Sequence, residues 1–159
     1  MTPPGYRPCA GVVLVNPAGL VFAGRRNDRP SGEPAAWQMP QGGVDEGEDP
    51  RAAIVREMRE EIGTDRFAIL AEHEEWLTYD FPTGLGIALA KRYRGQKQRW
   101  FALRFEGTDA DIRLDADAHQ EFDAWRWADL SDLPRLAVPF KRPIYERLAR
   151  DFARFAVGA

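Results

Sequence analysis

The chain has little cysteine, no long apolar run and no excess of basic residues, and each of these absences excludes a class of protein. The single cysteine, Cys9, excludes an internal disulfide and a cysteine-based metal cluster, and it fits a reducing cytoplasm. No apolar run approaches the ~20 residues that a membrane-spanning helix needs, and the N-terminus lacks the basic start and apolar core of a signal peptide. The formal net charge of −3 argues against a nucleic-acid-binding surface that covers the whole protein. We therefore expect a cytoplasmic protein with no membrane segment and no evident obligate protein partner.

The composition is that of a globular protein, with 44% hydrophobic and 30% charged residues. A length of 159 residues is most simply one domain, 1–159, with a sizeable core. Strands interrupted by one internal helix, then further strands and a final helix, indicate an α/β layered domain. The strands are expected at 9–15, 20–23, 37–40, 67–76, 98–105 and 122–127, and the final helix at 143–155. Loops are expected at 24–36 and, over a longer stretch, at 78–94.

The internal helix lies within residues 42–64, the most informative stretch of the chain. Asp49 followed by Pro50 starts a helix, because aspartate is a good N-cap and proline fits the first helical position. Gly63 is a natural residue with which to end the helix. The sequence therefore predicts a helix between these residues, entered through a glycine-rich turn.

Three glutamates fall together on one side of this helix, opposite an apolar stripe. The stripe consists of Val55, Met58 and Ile62, and the acidic side consists of Glu57, Glu60 and Glu61. Like charges at i, i+3 and i+4 repel each other, so a cation is expected to offset them, and hard divalent ions prefer carboxylate oxygen. The alternative is a solvated acidic face. The preceding glycines and the interleaved Arg56 and Arg59 argue against that alternative.

Gly42, Glu48 and the run REMREEIG at 56–63 have the spacing GX5EX7REUXEEXGU, where U is aliphatic, so the segment resembles the Nudix box. Every fixed position matches, and only Thr64 stands where the pattern has an aliphatic residue. The resemblance implies a Nudix α/β/α sandwich with a mixed β-sheet between helices. It also implies hydrolysis of a nucleoside diphosphate linked to another group, with Mg²⁺ or Mn²⁺ as cofactor and two or more ions when substrate is bound.

The resemblance also implies a set of metal ligands and catalytic groups. The expected metal ligands are Gly42, Glu57, Glu60, Glu61 and Glu121. Glu57, Glu61 or Glu121 takes the proton from the attacking water, and the sequence leaves open which of them is the base. Arg56 is expected to orient the carboxylates by salt bridges.

Motifs outside the box resemble one subfamily, which contains the bacterial RNA pyrophosphohydrolases and the diadenosine polyphosphate hydrolases. These motifs are GYRP at 5–8, WQMPQGG at 37–43, GQKQRWF at 95–101, EFDAWRW at 121–127 and VPFKR at 138–142. The stretch WLTYDFP at 76–82 is similar to the dinucleotide branch. The substrate contacts that the resemblance implies are Arg7, Arg26, Tyr79, Lys97, Arg99, Val138, Phe140 and Lys141.

The sequence leaves several functions to be compared. The leading hypothesis is removal of pyrophosphate from 5′-triphosphorylated RNA, splitting of diadenosine tetraphosphate into ATP and AMP, or both. Clean-up of ADP-ribose or oxidised dNTPs lacks supporting motifs here. A silent Nudix module that binds a nucleotide or a partner would typically lose box carboxylates, and all are present. The alternatives without a role in function are core packing for Phe140 and a solvated basic face for Lys97 and Arg99.

Overall fold

A computed structural model describes residues 5–27, 34–82, 92–118 and 120–157, and its central feature is an eight-stranded mixed sheet. The strands are β1 (Tyr6–Val15), β2 (Val21–Arg26), β3 (Trp37–Gln38), β4 (Gln41–Gly43), β5 (Phe67–Glu72), β6 (Leu77–Asp80), β7 (Gly95–Phe105) and β8 (Phe122–Ala128). The helices are α1 (Pro50–Ile62), α2 (Leu133–Leu136) and α3 (Arg142–Asp151). Short 3₁₀ turns lie at Asp109–Asp111, Leu130–Asp132, Pro139–Lys141 and Ala153–Phe155.

The sheet is organised around the pairing of β1 with β7, which is parallel over ten residue pairs. The path of the sheet is β3-β2-β1-β7-β5, with β4 beside β1, β6 beside β7 and β8 beside β2. All the other pairings are antiparallel. A parallel pair requires a long crossover connection, and here the chain between β1 and β7 contains α1. The expected mixed sheet is therefore confirmed.

One helix packs on each face of the sheet, as expected for the α/β/α sandwich. On one face, Ile54 and Met58 of α1 pack with Phe101 and Leu103 of β7. On the other face, the core around Trp100 of β7 includes Ile144, Tyr145 and Leu148 of α3. The alternation of side chains along β7 thus contributes to both cores.

Helix α1 begins and ends where the sequence predicts. The Asp49 carboxylate accepts a hydrogen bond of 2.7 Å from the Arg51 backbone N–H, and Pro50 occupies the first turn. Gly63 ends the helix with φ of 75°, a left-handed conformation that glycine adopts without steric cost. The apolar stripe differs in one position, because Ile54 is buried with Met58 and Ile62 whereas Val55 is only half-buried.

The prediction of a long loop at 78–94 is wrong at its start, because Leu77–Asp80 forms β6 and pairs with β7. The Tyr6 hydroxyl donates to Asp80 over 2.6 Å, and the Phe81 N–H donates to the carbonyl of Arg94. These partners lie far away in the sequence, so local propensity does not reveal them. Residues 83–91 lie outside the described part of the chain.

Several boundaries of the other elements also differ from the sequence predictions. The first strand begins three residues earlier, because its parallel pairing with β7 starts at Tyr6. The second extends through Arg26 along β8, and the final helix ends at Asp151 before a 3₁₀ turn. Of the expected loop at 24–36, residues 28–33 are not described. Within the described ranges, no helix has the length and apolar character required to cross a membrane.

Candidate active site

The glycine segment before α1 is itself the short strand β4, which pairs with β1 through Ala10 opposite Gly42 and Cys9 opposite Gly43. Both glycines leave space for a charged side chain. A Cβ atom on Gly42 would lie 2.1–2.3 Å from the carboxylate of Glu57. A Cβ atom on Gly43 would lie 2.4 Å from the Arg7 guanidinium. Any larger residue at either position would displace a charged group.

Arg56 connects this strand, the loop before α1 and one carboxylate of the helix. Its Nε and Nη2 donate to the two carboxylate oxygens of Glu48 at 3.1 and 2.9 Å, a bidentate geometry that fixes orientation. Its Nη1 donates to Glu57 at 2.9 Å, and its Nη2 donates to the Gly43 carbonyl at 2.8 Å. The hydrogen bond from Arg56 lowers the pKa of Glu48. Arg56 therefore holds Glu57 in place against β4.

A cavity of about 230 Å³ opens beside α1 and β4. Its lining residues are Arg7, Gln41, Gly42, Gly43, Glu57, Glu60, Glu61, Asp117 and Glu121. The three box glutamates, the glycine and Glu121 thus meet at one place, although Glu121 lies about 60 positions further along the chain, just before β8. Arg7 is also on the wall, at the start of β1.

Two of the glutamates are buried, whereas the alternative of a solvated acidic face would leave them exposed. Glu57 is 8% and Glu61 is 5% exposed, because β4 and the end of the segment before β8 cover that side of α1. Within the described chain, Oε2 of Glu61 is buried without a hydrogen-bond partner. Burial, together with the charges of Glu57 and Glu121, raises the pKa of Glu61 well above its usual value. Burial also raises the pKa of Glu57 to about 6, against the opposing charge of Arg56.

These residues fit a divalent cation. An isolated carboxylate oxygen is costly to bury unless a proton or cation compensates it, and Glu61 offers such an oxygen toward neighbouring acids. The donors are carboxylates and a backbone segment with glycines, and oxygen is the ligand that hard ions prefer. No three of the acidic side chains in the described ranges form a closed ion cage, and one oxygen of Glu57 is bound to Arg56. The donors are thus spread along the cavity wall.

Tyr79 and Phe140 pack together at 5.4 Å between ring centroids, and both rings are half-buried. Burial raises the pKa of Tyr79, and the positive charges of Arg26 and Arg7 oppose that increase. The structure thus brings Tyr79 into the electrostatic range of two other residues that the sequence selects as substrate contacts.

Lys141 and Val138 are both buried, at 6% and 7% exposed. The Lys141 ammonium donates a hydrogen bond of 3.0 Å to the side-chain oxygen of Gln38 in β3. The sequence selects Lys141 as a substrate contact, and the structure shows in addition that it joins the turn before α3 to the sheet. Gln38 holds this cation in place.

Lys97 and Arg99 do not line the carboxylate cavity. Arg99 Nε donates to Glu72 at 2.8 Å, and the Lys97 ammonium lies 5.3 Å from the centroid of the Trp76 ring. Arg26 ends β2 at a shift in register with β8, where it pairs with Phe122 next to Glu121. Of these three residues, the fold brings Arg26 toward the cavity, and it places the other two elsewhere.

Sequence reasoning did not select Asp117 or Gln41. Asp117 lies on the cavity wall in a connecting segment that carries no motif, so nothing in the sequence signals it. Gln41 belongs to the motif at 37–43, and its backbone hydrogen bond to Glu61 tends to lower the pKa of that carboxyl group. A search for backbone donors next to the glycines would have found Gln41 but not Asp117.

Comparison with known proteins agrees with this architecture. Residues 5–148 match the family model described as NUDIX domain. The RNA pyrophosphohydrolase of Acidiphilium cryptum is 59% identical over 151 residues, which cover 95% of this chain and 92% of the relative. The RNA pyrophosphohydrolase of Gluconacetobacter diazotrophicus is 56% identical, and the match covers 97% of this chain and 95% of the relative. A C. elegans Ap4A hydrolase shares the fold with a TM-score of 0.63 at 19% identity, covering 92% of this chain and 98% of that one. The chain belongs to the Nudix family.

Proposed function

We propose that this protein removes pyrophosphate from the 5′ end of triphosphorylated RNA, as a divalent-metal-dependent Nudix hydrolase. The observation that carries the proposal is the cavity beside α1, where the buried Glu57 and Glu61 lie near Arg7 and two glycines. The cavity wall has an excess of negative charge, which suits a cation and, through that cation, a polyphosphate. The names of the relatives at 59% and 56% identity support RNA as the substrate.

Nudix hydrolases generally use divalent metals, and the residues of this cavity fit such ions. The proposed ligands are Glu57, Glu60, Glu61, Glu121 and the Gly42 carbonyl, which would hold Mg²⁺ or Mn²⁺, with two or more ions when substrate is bound. When bound, the ions neutralise polyphosphate charge and lower the pKa of a coordinated water. The chain supplies the oxygen donors, and the hydrogen bond from Arg56 keeps the Glu57 carboxylate in place to bind an ion.

The protein groups then bind the phosphates and accept a proton. Arg7 lies at the cavity wall over Gly43, where its planar guanidinium can pair with phosphate oxygens. One of Glu57, Glu61 and Glu121 accepts the proton of the attacking water as the bond to the leaving pyrophosphate breaks.

The nucleotide end of the substrate is proposed to lie against the aromatic pair. Tyr79 and Phe140 offer ring surface for a base, and Val138 forms part of the wall beside them. Arg26 and the buried Lys141 supply positive charge for the phosphates near that base. Base stacking on aromatic rings is tolerant of sequence, which suits an enzyme that acts on many RNA ends.

Splitting of diadenosine tetraphosphate into ATP and AMP is the second candidate. The observation that favours it is the cluster of three rings in which Tyr79 contacts both Phe140 and Phe81, with Phe81 at 5.8 Å. Such a cluster suits an adenine base as well as the first base of an RNA. Both substrates place a nucleoside polyphosphate at the metal ligands, so one site serves for either.

A competition assay with Mg²⁺ tests the proposal. The enzyme receives equal amounts of diadenosine tetraphosphate and a short 5′-triphosphorylated RNA, and the products are separated by chromatography. We expect pyrophosphate and monophosphorylated RNA first, and no products with excess chelator. ATP and AMP as the first products would favour the second candidate. Turnover of neither substrate would contradict the proposal.

A further inference from the structure

Trp76 has an unusual position for a tryptophan, because it lies on the surface just before β6. It is 38% exposed, and the other large apolar side chains that are exposed in the described ranges, Leu70 and Val157, are aliphatic. Tryptophan is highly buried on average, and the part of this ring that remains exposed offers a large aromatic surface for stacking. The ring is therefore a candidate contact surface.

Two cations of β7 lie against this ring. The Lys97 ammonium is 5.3 Å and the Arg99 guanidinium 5.7 Å from its centroid, within the range of a cation–π interaction. Both residues belong to β7 and lie two positions apart, so both side chains are on one face of the strand. They contact the ring from the strand side and leave its remaining surface to solvent.

The two cations differ in how their charge is compensated. Arg99 donates to the Glu72 carboxylate at 2.8 Å, and Glu72 also accepts from Arg51 of α1 at 3.3 Å. Lys97, in contrast, has no carboxylate within ion-pair distance among the residues that the structure describes. Arg99 is thus a fixed support for the ring, and Lys97 is a cation available to an anion.

This surface lies across strand β6 from the proposed nucleotide contact. Lys97 is opposite Thr78 of β6, and the next pair, Gln96 with Tyr79, has its side chains on the other face of the sheet, where Tyr79 packs against the α3 core. Neighbouring strands lie about 4.8 Å apart, so a chain bound at Tyr79 reaches Lys97 by crossing that one strand. Lys97 also has the same side-chain parity as Phe101 and Leu103, so it lies on the face of the sheet that carries α1 and its glutamates.

We propose that Trp76 and Lys97 form a docking platform for the RNA chain that follows the 5′ nucleotide. The exposed part of the Trp76 ring stacks on a base, and the Lys97 ammonium contacts a backbone phosphate. An aromatic ring beside a free cation is the arrangement that single-stranded nucleic acid prefers, because every base has a stacking face and every linkage carries a charge. The inference rests on the proposed function, and it predicts that a long RNA binds better than a dinucleotide.

The test measures binding separately from turnover. A 12-nucleotide single-stranded RNA with a 5′-monophosphate and a 3′-fluorescein is titrated with wild type, Trp76→Leu and Lys97→Gln, and its anisotropy gives Kd. We expect about 10-fold weaker binding for each variant. Lys97→Gln also lowers the slope of log Kd against log salt by about 0.7, the loss of one phosphate contact to a single strand. The KM for diadenosine tetraphosphate stays within about twofold of wild type.

Arg104→Gln and Leu70→Ala are the matched controls, since each removes an exposed side chain of the same sheet away from Trp76, and both should bind the RNA like wild type. Unchanged RNA binding in Trp76→Leu and Lys97→Gln would overturn the inference. An equal loss for the dinucleotide and the 12-mer would also overturn it, because it would show a general packing defect. Failure of the wild type to release pyrophosphate from RNA would instead contradict the proposed function, and the binding result would still decide the inference.

Discussion

Two of the cavities in the described structure are each lined by four or more acidic side chains, and they differ in how those charges are balanced. The larger one, of about 510 Å³, lies between the turn after β5 and α3, and four carboxylates, three arginines and His73 line it. The smaller one, of about 230 Å³, lies beside α1, and five carboxylates and one arginine line it. Cavity volume would select the first cavity as the functional site, whereas unbalanced charge selects the second.

Three of the four acids of the larger cavity, Glu72, Glu75 and Asp151, form ion pairs with neighbouring groups. Asp151 receives hydrogen bonds from His73 Nε2 at 2.8 Å, Arg147 at 3.1 Å and Arg150 at 3.1 Å. The hydrogen bond from His73 is the main reason why the pKa of Asp151 falls to about 2. An ionised carboxylate only accepts hydrogen bonds, so the contact with Asp151 places a hydrogen on Nε2 of His73. These ion pairs form a network that holds α3 against the sheet.

The smaller cavity has the opposite electrostatics, since the pKa of Glu61 is raised and one of its oxygens has no hydrogen-bond partner in the described chain. A depressed carboxyl pKa indicates charges that the fold has already compensated. A raised one indicates a site that still requires a proton or a cation, as functional sites often do. The comparison therefore distinguishes a structural network from a ligand site by the sign of the shift.

The largest expected effect comes from removing one charge in each cavity. Glu61→Gln should lower kcat by about 100-fold or more, because the variant loses a metal ligand or base. Its thermal midpoint should stay equal or rise, since the substitution removes a buried charge. Glu74→Gln, in the larger cavity, should change kcat by less than about twofold. Steady-state assays and thermal melts measure both, and equal effects of the two variants would remove the distinction.

A second comparison is between two glycines that differ in the space around them. Gly42→Ala places a Cβ within 2.3 Å of the Glu57 carboxylate and should lower kcat/KM by about 100-fold, because such a displacement disturbs the reacting geometry. Gly5→Ala is the control, since nothing lies within 4 Å of the added Cβ. Full activity of Gly42→Ala with Mg²⁺ would show that Glu57 has no fixed position in the reaction.

A smaller effect is expected from replacing the arginine that supports each network. Arg56→Lys keeps the charge but loses the bidentate contact to Glu48, so the Mg²⁺ concentration for half-maximal activity should rise about 10-fold. Arg147→Lys should leave that concentration unchanged and affect only stability. A metal titration of both variants checks this, and an unchanged midpoint for Arg56→Lys would contradict the orienting role of Arg56.

The smallest expected effect is a change in how the free energy of unfolding depends on pH. Because its pKa is depressed in the folded state, Asp151 stabilises the protein fully above pH ~4, and this contribution is lost as pH falls through about 2. Asp151→Asn should therefore lower the free energy of unfolding by about 1 kcal/mol at pH 7, after allowance for solvent screening. Between pH 4 and 2 the variant should lose less stability than wild type. Urea unfolding at several pH values measures both, and parallel curves would contradict the prediction.

Sequence reasoning identified the parts of the site that depend on local spacing. The N-cap Asp49, the terminal Gly63 and the carboxylates of α1 are predicted from positions within one helix, and the structure places these residues as expected along the chain. Sequence reasoning failed where the partner is distant. The strand Leu77–Asp80 forms because it pairs with β7. Arg99 forms an ion pair with Glu72, and the buried Lys141 is bound by Gln38, and neither partner is close in the sequence.

By itself, the sequence determined the carboxylate helix, its limits and the family, because capping preferences and helical spacing act within a few residues. Only the tertiary structure decided which carboxylates are buried and which charges are compensated. Glu57 and Glu61 are buried because β4 packs beside α1, and Glu121 reaches them from the start of β8. Burial and charge balance depend on segments that are far apart in the chain, and so does the chemistry of the site.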